Sequence, residues 1–141
     1  MSVQNMPKRV MSKFSPGVEI AVIVNVNQLS DYRLDLCDPK EPLQVSGRCL
    51  SAGIHVPAHR HNLIQRETNI TSEAWVIFSG KVECEIYDID DQRLEDQVLT
   101  SGDCLVLFKG GHSLKVIDDK TVIFEFKNGP YLGINSDKTN I

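Results

Sequence analysis

The chain has 141 residues, 41% hydrophobic and 24% charged, with a formal net charge of -4, which is enough for one domain with one core and far from disordered or collagen-like compositions. An acidic balance leaves no basic face to collect phosphates, so nucleic acid is not expected as a partner. The apolar early run Val18 to Val26 is broken by Glu19 and Asn25 and is far shorter than the roughly 20 residues a spanning helix needs, so no membrane role is expected either.

Residues 1–17 carry Lys8, Arg9 and Lys13 without an uninterrupted apolar run, so they read as an N-terminal arm and not as a secretory signal, and the protein is expected to be cytoplasmic. From Val18 onward short β-runs alternate with turn residues, and no long window keeps a helical stripe. Tyr32 to Leu36 and Leu43 to Ser51 are the first such runs after Val26. Ala74 to Phe78 and Lys81 to Tyr87 form the clearest pair, joined at Ser79-Gly80, and predict a hairpin. Lys81, Glu83 and Glu85 alternate with Val82, Cys84 and Ile86, which gives that second strand one wet and one dry face. Ala74 to Phe78 is apolar at every position, so it is expected to be covered on both faces, a symmetric dimer contact being one way to cover the outer one.

Asp88 to Asp91 is turn chemistry before Arg93 to Thr100, and Ser101-Gly102-Asp103 implies another hairpin into Cys104 to Phe108. Gly110-Gly111 precedes Ser113 to Ile117, and Asp118-Asp119 precedes Val122 to Phe126. Strands without intervening helices predict an all-β antiparallel sandwich or closed barrel over 18–128, with 129–141 a C-terminal tail packed on it through Tyr131. Cys37, Cys49, Cys84 and Cys104 stand singly, with no Cys-x-x-Cys pair. In a reducing cytosol they are expected to be buried small hydrophobes.

Three of the four histidines fall within seven positions, His55, His59 and His61. In an extended segment, residues two apart project to one side, so His59 and His61 can offer two imidazoles to one point while Arg60 faces away. Neutral imidazole suits zinc, iron, copper and nickel, and an added carboxylate widens the choice to manganese. The bland alternative is a set of solvated or core histidines.

The surroundings of this pair resemble the first motif of the cupin family: Gly53, five residues, His59-Arg60-His61, then Glu73, six residues and Gly80. The eleven residues Asn62 to Ser72 exceed the family's usual gap before the Glu, so a longer loop at the barrel mouth is expected. Gly102, Cys104 to Phe108, Gly110 and His112 are similar to the second motif, with Phe108 where Pro is usual and Val116 where Asn often follows. Within the superfamily the chain is most similar to small WbuC-type cupin metalloproteins of bacterial surface-polysaccharide gene clusters. That similarity runs over roughly Arg33 to Gly133 and includes Arg33-Leu34-Asp35-Leu36-Cys37, Gln44 to His61, and Glu73 to Asp88.

The resemblance implies a cupin-type antiparallel β-barrel, or jelly roll, with little helix. It also implies one divalent metal ion, zinc, iron, manganese or nickel, on His59, His61, Glu73 and His112. Trp75 follows Glu73 by two and should point inward, as core or as a stacking wall for a substrate ring. Arg48 is a candidate for an anionic substrate, or else covers an outer face. His55 shares parity with His59 beyond Pro57, and Glu67 lies nearer to His61 than Glu73 does but lacks the spacing to Gly80. The function expected is Lewis-acid isomerisation or hydrolysis of a small oxygen-rich molecule such as a sugar derivative, by a homodimer. The alternatives are an Fe(II)-dependent dioxygenase and a non-catalytic metal-containing binding or assembly module.

Overall fold

The computed structural model describes residues 6–141. Its strands are β1 (Lys8–Met11), β2 (Glu19–Asn25), β3 (Leu34–Asp35), β4 (Ser46–Gly47), β5 (Glu73–Ser79), β6 (Lys81–Tyr87), β7 (Arg93–Thr100), β8 (Asp103–Leu107), β9 (Gly111–His112), β10 (Lys115–Val116) and β11 (Val122–Lys127), followed by the short helix α1 (Ile134–Asp137). A 3-10 turn, Val26–Gln28, follows β2, capped by the Asn25 side chain.

One antiparallel sheet runs β1-β2-β8-β5-β11, and the other runs β10-β6-β7 with β9 also on β6. Strand β3 pairs only with β4. The class is therefore all-β and antiparallel with little helix. Among the described residues the two sheets are not hydrogen-bonded into one closed ring.

Period-2 alternation explains how the two sheets meet. On β6, Val82, Cys84 and Ile86 are fully buried while Lys81, Glu83, Glu85 and Tyr87 lie at the surface. They pack with Trp75, Ile77, Leu105 and Leu107 of the five-stranded sheet. Its opposite face also carries a core, where Val22, Val24, Ala74, Val106 and Phe108 lie under Leu36 and Cys37. Strand β2 is thus buried on both faces, as its run Ile20-Ala21-Val22-Ile23-Val24 requires. Each fully buried Leu or Ile contributes roughly 1.5–3 kcal/mol.

Two expected hairpins are corrected by this topology. The strands flanking Gly80 exist, but β5 pairs with β8 and β11 while β6 pairs with β7, β9 and β10. Gly80 therefore carries the chain from one sheet to the other. It has φ +87, and a Cβ there would collide with Thr121, so only glycine fits the crossing. The turn Ser101-Gly102 likewise links β7 to β8 in the opposite sheet. Alternation fixes which way a strand faces and not which strand it pairs with, so a tight turn alone suggested hairpins. The turn Asp88 to Asp91 does close a true hairpin, β6 with β7.

The N-terminal arm is corrected too. Lys8–Met11 forms the edge strand β1 on β2, with Val10 buried and its neighbours exposed, so one apolar side chain was the only sequence signal. The following loop is held by Asp88, whose carboxylate accepts from Ser12 Oγ (2.6 Å), Lys13 N (2.7 Å), Phe14 N (3.1 Å) and Ile89 N (2.8 Å). Burial opposes its ionisation, yet these four donors prevail and hold the carboxyl at about 2.

All four cysteines are free. Burial pushes the Cys84 thiol up to about 12 and Cys104 up to about 11, so neither supplies a thiolate near neutral pH. Cys49 departs from the expectation of burial, because it opens the exposed segment described below.

Candidate functional site

The inner face of the five-stranded sheet ends in polar residues beside the core. Three cross-strand pairs lie there in series: Ile123 with Ile77, Glu125 with Trp75, and Lys127 with Glu73. From the other sheet, His112 pairs with Ile86 of β6 and so takes the inward side. Gly110 makes that approach possible, since it has φ +75 and a Cβ there would strike the Tyr87 carbonyl.

Glu73 is 6% exposed, and Trp75 Nε1 donates to its Oε1 at 2.6 Å. Its Oε2 lies 3.4 Å from His112 Nε2 and 3.9 Å from Lys127 Nζ. The His112 ring meets the Trp75 ring edge-on at 5.2 Å. Burial disfavours the Glu73 carboxylate, but the His112 imidazole and the Trp75 indole N–H beside it outweigh that and place the carboxyl below its ordinary range. Glu73 is consequently an anion at neutral pH with one oxygen turned to an imidazole. Trp75 has the inward direction expected from its spacing, in the core between the sheets.

The pair opens on a cavity of about 710 Å³ lined by Thr71, Glu85, Tyr87, Ser113 and the tail from Asp137 to Ile141. Within it, Tyr87 Oη donates to Glu85 Oε2 at 2.7 Å and Ser113 Oγ to the same oxygen at 3.1 Å. Thr71 Oγ1 donates to Asp137, and a smaller cavity of about 350 Å³ shares both residues. At the far end of the tail Ile141 lies against Gly111, although Tyr131, Leu132, Ile134 and Ile141 are all exposed.

The remaining expected site residues are elsewhere. Arg48 to Thr71 are all exposed, and no strand or helix lies between Gly47 and Glu73. That segment carries Arg48, His55, His59, His61 and Glu67. His59 and His61 are brought together, with ring centroids 5.4 Å apart. His59 Nδ1 lies 3.0 Å from the Pro57 carbonyl oxygen, which fixes Nδ1 as the N–H and leaves the Nε2 lone pair free, the arrangement of metal-binding histidines. The segment is tied at both ends, by Cys49 N to the Ser30 carbonyl and by Ser72, which bonds Asn128 and the Phe108 carbonyl just before Glu73.

Two couples therefore emerge from the four expected ligands, Glu73 with His112 and His59 with His61. Among the described residues no group of three His, Cys, Asp or Glu side chains converges. The donor chemistry of the first couple fits a metal, since a carboxylate oxygen and an imidazole nitrogen stand 3.4 Å apart at Glu73 and His112 and both are ordinary ligands of divalent ions. Lys127 and Glu125, 2.8 Å apart beside Glu73, escaped the sequence reading. Alternation in Val122 to Lys127 separates them from the phenylalanines, but only the pairing with β5 places them at Glu73.

The fold and this site define an antiparallel two-sheet β-protein with an ionised acid–imidazole pair at a polar cavity. No protein-family model, curated protein sequence or solved structure matches the chain. No helix among the described residues is long and apolar enough to cross a membrane.

Proposed function

We propose that the protein is a metal-dependent enzyme of the cupin type that acts on a small oxygen-rich molecule, a sugar or sugar derivative. The observation that carries the reading is the pair of buried Glu73 and half-buried His112, two donors 3.4 Å apart facing a cavity. Its order of strands is in keeping with a jelly roll, because successive strands cross between the sheets at β5 to β6, β7 to β8, β8 to β9 and β10 to β11. Four free cysteines accord with the cytoplasm.

In this reading Glu73, His112, His59 and His61 hold one divalent ion. Eleven residues, Asn62 to Ser72, join His61 to Glu73 and span up to roughly 36–40 Å when extended, so the tether does not limit the approach. Ordering the three residues His59 to His61 costs about 3–6 kcal/mol, less than the roughly 10–16 kcal/mol of structural zinc binding in small peptides.

When bound, the ion would supply Lewis-acid polarisation of a substrate oxygen. Trp75 orients the Glu73 carboxylate by its indole N–H, and the Pro57 carbonyl sets the His59 tautomer. Glu85, Tyr87, Ser113 and Thr71 offer acceptors and hydroxyls to a polyhydroxylated ligand, and the cavity falls in the usual small-molecule range. This chemistry is in keeping with surface-polysaccharide biosynthesis. Loading with iron and measuring oxygen uptake separates it from a dioxygenase.

Trp75 is the single tryptophan of the chain and touches both Glu73 and His112, so its fluorescence reports on the site. Titrating tag-free protein with Zn²⁺, Mn²⁺, Ni²⁺ or, without oxygen, Fe²⁺ is expected to give a saturable change at one equivalent for at least one ion. The same titration should be flat in Glu73→Gln and in the double variant His59→Ala/His61→Ala. No response to any ion, or an undiminished response in the double variant, contradicts the four-ligand site.

A further inference from the structure

Exposed apolar side chains are scattered over the surface, and exposure alone marks no function. Phe78 is one of them, 66% exposed, so the expected two-sided cover of Ala74 to Phe78 fails at that end. The tail after β11 is a different case, because it exposes its apolar residues and still walls the cavity of Glu73 and His112. Asp137 to Ile141 form one side of that cavity. The wall begins at Thr71, two residues before Glu73, where Asp137 is bonded, and ends at Gly111, next to His112, where Ile141 rests.

Little holds the tail there. Helix α1 buries no residue, and Leu132 is 81% exposed. The backbone N–H groups of Ser136, Asp137 and Lys138 all donate within the tail, to Gly133 and Ile134. Among the described residues, the one hydrogen bond from residues 130–141 to the rest of the molecule is that of Thr71 Oγ1 to Asp137. Lys127 Nζ over the Tyr131 ring, at 5.6 Å, adds a cation–π contact. A segment with so few buried contacts and bonds has low local stability, and lids over sites are drawn from such segments. Its neck contains a joint. Gly133 has φ +100 and ψ 156, a conformation essentially confined to glycine. A Cβ there would meet nothing within 4 Å, so the backbone and not a lack of space requires this glycine.

From this we infer that residues 134–141 are a lid on the Glu73–His112 cavity, swinging at Gly133 and latched shut by the Thr71–Asp137 hydrogen bond. Open, the lid admits a small polar molecule to the pair. Shut, it sets Asp137, Lys138 and Asn140 against the cavity as part of its wall. The smaller cavity is also lined by Thr71 and Asp137, so release of the latch joins the two spaces. The inference rests on the tail and its attachments, and stands whether or not the pair holds a metal.

The test reads the lid through His112, whose side chain is 27% exposed, with the exposed His55 as internal reference. The full chain is treated with diethyl pyrocarbonate in the presence of a chelator, and carbethoxylation of each histidine is followed by peptide mass spectrometry. Thr71→Val removes the latch donor without changing any charge. It should speed modification of His112 relative to His55 by about 3–10-fold, the range of one lost hydrogen bond. Asp137→Ala should match it, while Asp137→Asn, which keeps the acceptor, should stay near wild type. Gly133→Ala should act in the same direction as Thr71→Val, because the seated joint is strained for any other residue. The thermal midpoint should change little in all four, since the tail buries little. An unchanged ratio of His112 to His55 in both Thr71→Val and Asp137→Ala overturns the inference. So does Asp137→Asn behaving as Asp137→Ala does, or faster modification that comes only with a large fall in Tm.

Discussion

Asp88 and Glu73 are the two buried carboxylates among the described residues, and both are held ionised below their ordinary range. They differ in who holds them. Three of the four donors to Asp88 are backbone N–H groups of two turns, the fourth is Ser12, and its oxygens are committed to closing the β6–β7 turn over the loop after β1. The partners of Glu73 are side chains, Trp75, His112 and Lys127, and it stands at a cavity. Burial and low proton affinity are thus common to a fold-forming acid and a candidate ligand, and the donor type with the open side distinguishes them.

Substitution at each acid should separate the two roles. Asp88→Ala strands four donors and should lower Tm by on the order of 10 °C by differential scanning calorimetry, while the folded variant keeps its metal affinity. Glu73→Gln should do the reverse, with little change in Tm and a loss of metal affinity of on the order of 100-fold or more by isothermal titration. A large Tm loss in Glu73→Gln with unchanged metal affinity would erase the distinction.

Acid sharpens the contrast on the Asp88 side. Its folded carboxyl lies at about 2 against an ordinary 3.8, so the unfolded chain binds the proton first as pH falls. The stabilisation is complete above about pH 4 and is lost on descending through about pH 2. Denaturant midpoints measured across that window should fall, and Asp88→Asn should flatten the slope. A smaller effect is expected at Trp75→Phe, which keeps the packing but removes the indole donor to Glu73. Metal affinity, read by competition with a chelating indicator, should drop roughly 10-fold. An unchanged affinity would mean that the indole does not orient the ligand.

Strand positions were legible because period-2 alternation writes itself along β6, and the inward direction of Trp75 followed from its place two residues after Glu73. Pairing was not legible. Gly80 reads the same whether it closes a hairpin or passes the chain between sheets, and only Thr121 packed against it distinguishes the two. For the same reason Lys127 and Glu125 remained invisible at Glu73. The adjacency of His59 and His61 lay in their spacing, but the eleven residues before Glu73 carry no strand, and so nothing local places that pair relative to β5. Asp88 looked like ordinary turn chemistry, since its donors Ser12, Lys13 and Phe14 lie more than seventy residues upstream.

The most direct test is the metal content per chain of tag-free protein purified without a chelating column, measured by elemental analysis beside Glu73→Ala, His112→Ala and His59→Ala/His61→Ala. About one divalent ion per wild-type chain, lost in each of the three variants, is the predicted result. A metal-free wild type that stays metal-free after incubation with all four ions, or a content indifferent to these substitutions, would contradict the account.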